Sequence, residues 1–182
     1  MPFDAHLLRT FRDALAAIPA ADAPDVYAIS LLISHEDGDP RKPVVTFGYN
    51  TESQVRQVLE HAAGPQPDSA EARWDHAYWL QNDLAVLGDT GRDPEGAGYL
   101  AQWVKDNPDL SEPPDRITAR LIRGLVRFTH SVQEVGLIER AVGHRVPMLI
   151  HEPEYSEQTA RQAEAANPPG LADDFAAWVR NR

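Results

Sequence analysis

The chain has 182 residues, 42% of them hydrophobic and 25% charged, an ordinary globular composition with enough length for one domain and a substantial core. A formal net charge of -11 argues against general nucleic-acid affinity, which needs local positive charge to meet phosphate. No cysteine is present, which removes disulfides, thiol catalysis and thiolate metal sites and suits a reducing, cytoplasmic setting, and no apolar run approaches the roughly 18 residues that a membrane span needs.

From the N-terminus, Leu8, Phe11, Leu15 and Ile18 recur at spacings of three and four, the period of an amphipathic helix that Pro19 stops. The acids in this stretch argue against a secretory signal. Residues 26–54 then organise the chain as strand, acidic turn, strand and capped helix. In the first strand, over 26–34, alternation puts Tyr27, Ile29, Leu31 and Ile33 on one face and Val26, Ala28, Ser30 and Leu32 on the other. Apolar residues on both faces place that strand in the middle of a sheet or under a helix. A second strand is expected over 43–49. Thr51-Glu-Ser-Gln54 has the spacing of a capping box, in which Gln54 reaches back to the Thr51 amide, and Val55, Val58 and Leu59 follow as the buried stripe of a helix.

Loops are expected over 64–69 and 107–114. Between them lie a short helix with Trp74 and Tyr78, the apolar run Leu84-Ala-Val-Leu87, and a helix capped by Asp93 with Pro94 in its first position. A long helix begins near Asp115, with Ile117, Leu121, Leu125, Phe128 and Val132 on one side, and its phase slips after Val135-Gly136. A third strand is expected over 145–151, held at a sheet edge by Pro147. Two helices, over 155–166 and around Leu171, Phe175 and Trp178, close the chain. The fold class is therefore α+β: one domain with a small, largely antiparallel sheet from the strands at 26–34, 43–49 and 145–151, packed with helices.

No Walker loop, GxGxxG or GxSxG occurs, so neither nucleotide binding nor an esterase elbow has support, and no motif implies a cofactor. The sharpest candidate is a stripe on the long helix: Arg116, Arg120, Arg123 and Arg127 fall within an arc of about 60° at 100° per residue, with no acid between them. Guanidinium groups bind carboxylates and phosphates bidentately, so the stripe suits an acidic partner or an anion; a solvated face, or pairing with the acid-rich first half, is the bland reading. His151-Glu152, with Glu154, stands at a strand end, where a histidine and two carboxylates suit a metal or a general base, but no HExxH or paired-His spacing supports it. The turn His35-Glu36-Asp37-Gly38-Asp39 lacks the calcium-loop pattern and reads as a solvated turn or a contact for a basic protein.

Three pieces of sequence together carry a resemblance: VYAISLLIS with GYNTESQV, RWDHAYWLQ, and PMLIHEPEY with ANPPGLADDFAAWV. Spanning 26–179, they resemble a bacterial family known only as domain of unknown function 4303. Tyr78-Trp79 departs from that pattern, in which an acidic residue precedes the tryptophan. The resemblance implies an α+β fold, no particular chemistry, and an association with toxin–immunity neighbourhoods. The expected role is a non-enzymatic, protein-binding domain of immunity-like or accessory kind, its acidic surface steering it onto a basic partner. The alternative is a small enzyme or ligand-binding domain with its site at His151 and Glu152; a homodimer face is a third reading.

Overall fold

The computed structural model describes residues 2–61, 66–107, 113 and 115–182, so the loops expected over 64–69 and 107–114 fall partly outside the described residues. At the centre lies β1 (Val26–His35), apolar on both faces and flanked on both sides. β2 (Pro43–Thr51) pairs with it antiparallel, setting Tyr49 opposite Ile29, Phe47 opposite Leu31 and Val45 opposite Ile33. β3 (Ala85–Leu87) continues the sheet antiparallel beside β2, and β4 (Met148–His151) lies parallel on the other side of β1. The order is β3-β2-β1-β4. This is the α+β class expected, with two of the three ladders antiparallel; the parallel β4 makes the sheet mixed. Strand direction is set by how the connecting helices return the chain, and a strand's own apolar pattern does not encode it. β4 is an edge strand, as Pro147 implies, and begins at Met148; Pro147 has no N–H to give the ladder, although its carbonyl accepts from Ile29 N at 2.9 Å.

One bulge changes what each face carries. Val26 opposes Thr51 while Ala28 opposes Asn50, so β1 spends an extra residue there. Val26 thereby joins Ile29, Leu31 and Ile33, and Tyr27 turns to the other side with Ala28, the reverse of simple alternation. On the first face α1 (Pro2–Ala16), α4 (Pro94–Asp106), α5 (Asp115–Glu134) and α6 (Leu137–Val142) enclose a core that includes Phe11, Phe47, Leu125 and Ile138. On the second, α2 (Glu52–His61), α3 (Ser69–Trp74), α7 (Glu157–Ala166) and α8 (Asp173–Asn181) enclose Tyr27, Trp74, Trp79 and Phe175.

Helix ends follow the local chemistry. α5 ends before Gly136, whose φ of 63° is the left-handed turn glycine tolerates, and this is where the apolar phase slips. Asp93 caps α4 through Gly96 N at 3.1 Å and also takes the Gly88 amide and the ring of His6. A Cβ at Gly96 would collide with the Asp93 carboxylate, so the Gly96-Ala97-Gly98 run belongs to this cap. Only half of the capping box at α2 forms. Thr51 Oγ accepts from Gln54 N at 3.1 Å, but the Gln54 side chain donates to the carbonyl of Tyr78 instead of returning to Thr51.

Candidate functional site

His151 is fixed by β4 on the second face of the sheet and is 3% exposed. Its Nε2 lies 2.8 Å from the Ser30 hydroxyl on β1, and its Nδ1 lies 3.1 Å from the carbonyl of Glu152. A carbonyl only accepts, so Nδ1 carries the proton and Ser30 donates to Nε2. Burial, reinforced by the neighbouring His76, pushes the His151 pKa down from 6.5 to about 3, and burial lowers His76 as well. The His76 and Tyr155 rings stand 5.0 and 5.5 Å away, and burial pushes the Tyr155 hydroxyl up to about 12.

A serine hydrogen-bonded to a neutral imidazole is the start of a nucleophile–base pair, but this one has no room to act. Ser30 is 1% exposed in mid-strand, and the space beside it, lined by Gly48, His76, Trp79 and Asn82, holds about 10 Å³. That is at most one water. Glu152 points elsewhere and lines a different cavity, so His151 and Glu152 do not form one site. Among the described residues no three His, Asp or Glu side chains are grouped as a metal centre.

The arginines present the opposite situation. Arg116, Arg120, Arg123 and Arg127 are all exposed on α5. Of the chain's 15 arginines, nine form ion pairs with Asp or Glu, and Arg140 donates to the Val135 carbonyl. Arg116 has an interaction of its own. The remaining four, Arg12, Arg120, Arg123 and Arg127, make no guanidinium hydrogen bond or ion pair with any described residue. All four line one of two cavities that flank α5. The pairing with the acid-rich half that the sequence allowed does not occur at these positions.

The first cavity, of about 560 Å³, lies between α1, α4, α5 and α6. Phe3, Leu8, Trp103, Leu121, Phe128 and Leu137 make its walls apolar, with Arg12, Arg120, Arg127, Arg140, Ser131 and Asp4 as its polar lining. Gly124 also lines it, in the middle of α5. Nothing lies within 4 Å of where a Gly124 Cβ would stand, so no close packing requires glycine there, although mid-helix glycine costs about 1 kcal/mol relative to alanine. The second cavity, of about 810 Å³, lies between α5 and α7 and is more polar: Arg123, Arg127, Arg161, Gln158 and Glu152 line it beside His35, whose Nε2 is 2.9 Å from Thr118 Oγ. Arg161 is already paired with Glu157 at 3.1 Å.

The acidic turn carries little free charge. Asp39 holds Arg41 at 2.9 Å, Asp37 holds Lys42 at 3.1 Å, and Glu36 accepts from Thr90. Of the four tryptophans, Trp74 and Trp79 are buried, Trp178 packs against the second core and Trp103 against the first, where it also lines the apolar cavity. Arg12, Gly124 and Arg161 escape sequence reasoning as site residues, since only the docking of α1 and α7 beside α5 gives them a common surface. The site so defined is a cationic helix ridge between two cavities on an α+β scaffold. No protein-family model, curated protein or solved structure matches the chain.

Proposed function

We propose that the chain is a non-catalytic binding domain whose working face is the exposed side of α5, and that it engages a carboxylate-bearing segment of a protein partner. One observation carries the reading: in a chain with net charge -11, four arginines form no ion pair with any described residue, and all four line the cavities beside one helix. Carboxylates to pair with are plentiful, as nine other arginines demonstrate. Exposed guanidinium groups attract an acidic partner over distance and hold it bidentately on contact. The acidic turn, whose carboxylates are engaged internally, is the weaker docking surface for a basic partner. An immunity-like or accessory role, in keeping with the sequence resemblance, is the biological form this binding would take. The enzyme alternative has less support, because the space beside Ser30 and His76, which neighbour His151, holds only about 10 Å³.

The test uses an amphipathic Glu/Leu peptide as probe, titrated calorimetrically into the full chain and into Arg120→Ala/Arg127→Ala. Binding by the native chain, weakened by salt and by at least about tenfold in the variant, is expected. Equal binding by a variant with native circular dichroism would refute the α5 face.

A further inference from the structure

We infer that the apolar cavity between α1, α4, α5 and α6 is a binding site for a single-chain amphiphilic carboxylate, its hydrocarbon tail inside the cavity and its head group on Arg12 and Arg120. The inference goes beyond the protein-partner reading and does not depend on it, although the two share Arg120 and Arg127.

Four features point the same way. The volume, about 560 Å³, is that of a small-molecule site rather than a packing defect. Its walls are aromatic and aliphatic, so they offer an inorganic anion nothing but suit a chain that gains by leaving water. Its lining nevertheless includes Arg12, Arg120 and Arg127, whose guanidinium groups are unpaired among the described residues and match a carboxylate in shape and charge. Gly124 adds the fourth and most specific feature. At mid-helix it sacrifices helix stability, and the space its missing side chain would fill is empty. Any larger residue there would project into the cavity, so the glycine's effect is to keep the cavity open. The cavity across α5 differs in kind: its lining of Arg123, Arg161, Gln158 and Glu152 offers a hydrocarbon tail far less.

Dodecanoate, kept below its micellar concentration, is the probe. Binding to the full chain is followed by calorimetry and by the fluorescence of Trp103, with Trp103→Phe identifying that residue's contribution. Saturable binding is expected, with dodecanol and acetate each weaker by at least about tenfold because one lacks the charge and the other the tail. Arg12→Ala/Arg120→Ala, two exposed positions whose loss leaves the core intact, is expected to weaken dodecanoate by a similar factor. Gly124→Leu is expected to abolish binding without lowering the thermal midpoint. Absence of saturable binding, equal binding of dodecanol, or undiminished binding by Gly124→Leu would each overturn the inference. A chain that binds the Glu/Leu peptide but not dodecanoate defeats this inference alone; the reverse result defeats only the protein-partner reading.

Discussion

The two regions that carry the chain's most suggestive side chains differ in opposite ways. Around His151 the ring nitrogens have partners and the space beside Ser30 and His76 holds only about 10 Å³; along α5 the guanidinium groups of Arg120, Arg123 and Arg127 line cavities and pair with no described residue. A buried polar group without a partner costs free energy, so a satisfied and sealed cluster is what folding alone demands. An exposed, unpaired cation beside a cavity is not needed by the fold, and it is there that a binding role finds its material. A serine–histidine contact at 2.8 Å is thus weaker support for function than three arginines that pair with no described residue.

The contrast can be broken from either side. The largest effect is expected for His151→Ala, which empties a buried site and strips Ser30 of its acceptor; it should destabilise the protein by about 2–4 kcal/mol in urea titration, and a cost near zero would show that the cluster is not structural. Next comes pH. The folded pKa of His151 is depressed, so below about pH 6.5 the unfolded chain takes up a proton that the folded chain refuses. Stability is then complete above pH 6.5 and falls as pH drops toward 3, by up to about 1.4 kcal/mol per pH unit, with His76 adding in the same direction. Urea midpoints at a series of pH values test this, and the slope should shrink in the His151 variant. On the α5 side, Gly124→Ala is expected to stabilise by about 1 kcal/mol, or about 2–4 °C in thermal midpoint, since helix propensity rises and nothing is displaced. The smallest effect belongs to Arg120→Ala/Arg127→Ala, which should change stability by less than about 0.5 kcal/mol; a larger loss would mean the ridge has a structural duty after all.

Much of the fold is readable from residue spacing. The 3.6-residue period locates α5 and its break at Gly136, Asp93-Pro94 locates the start of α4, and Pro147 locates an edge. What is not readable depends on distant parts of the chain. β3 is three residues of an apolar run that become a strand only because β2 offers Val45 and Phe47 beside them. Tyr27 changes face because of a bulge against Asn50 and Thr51. The candidate site divides in the same manner. The stripe on α5 is legible as a face, since it depends on helix geometry alone. Whether those arginines are paired depends on where 28 carboxylates end up, and the burial of His151 depends on Ser30, 121 residues earlier.

The outer side of β4 has one more consequence. Because Ile29 N takes the carbonyl of Pro147, the N–H and C=O of Met148 face away from the sheet. The side chain of Asn167 meets both, accepting from Met148 N at 2.9 Å and donating to Met148 O at 3.0 Å, as a neighbouring strand would. Asn82 does the same for the amide of Tyr49 on β2 at 2.9 Å. Sheet edges invite other chains to add strands, and here side-chain amides occupy the vacant rungs. On β4 the Asn167 amide thus takes the place where a strand of another chain would add.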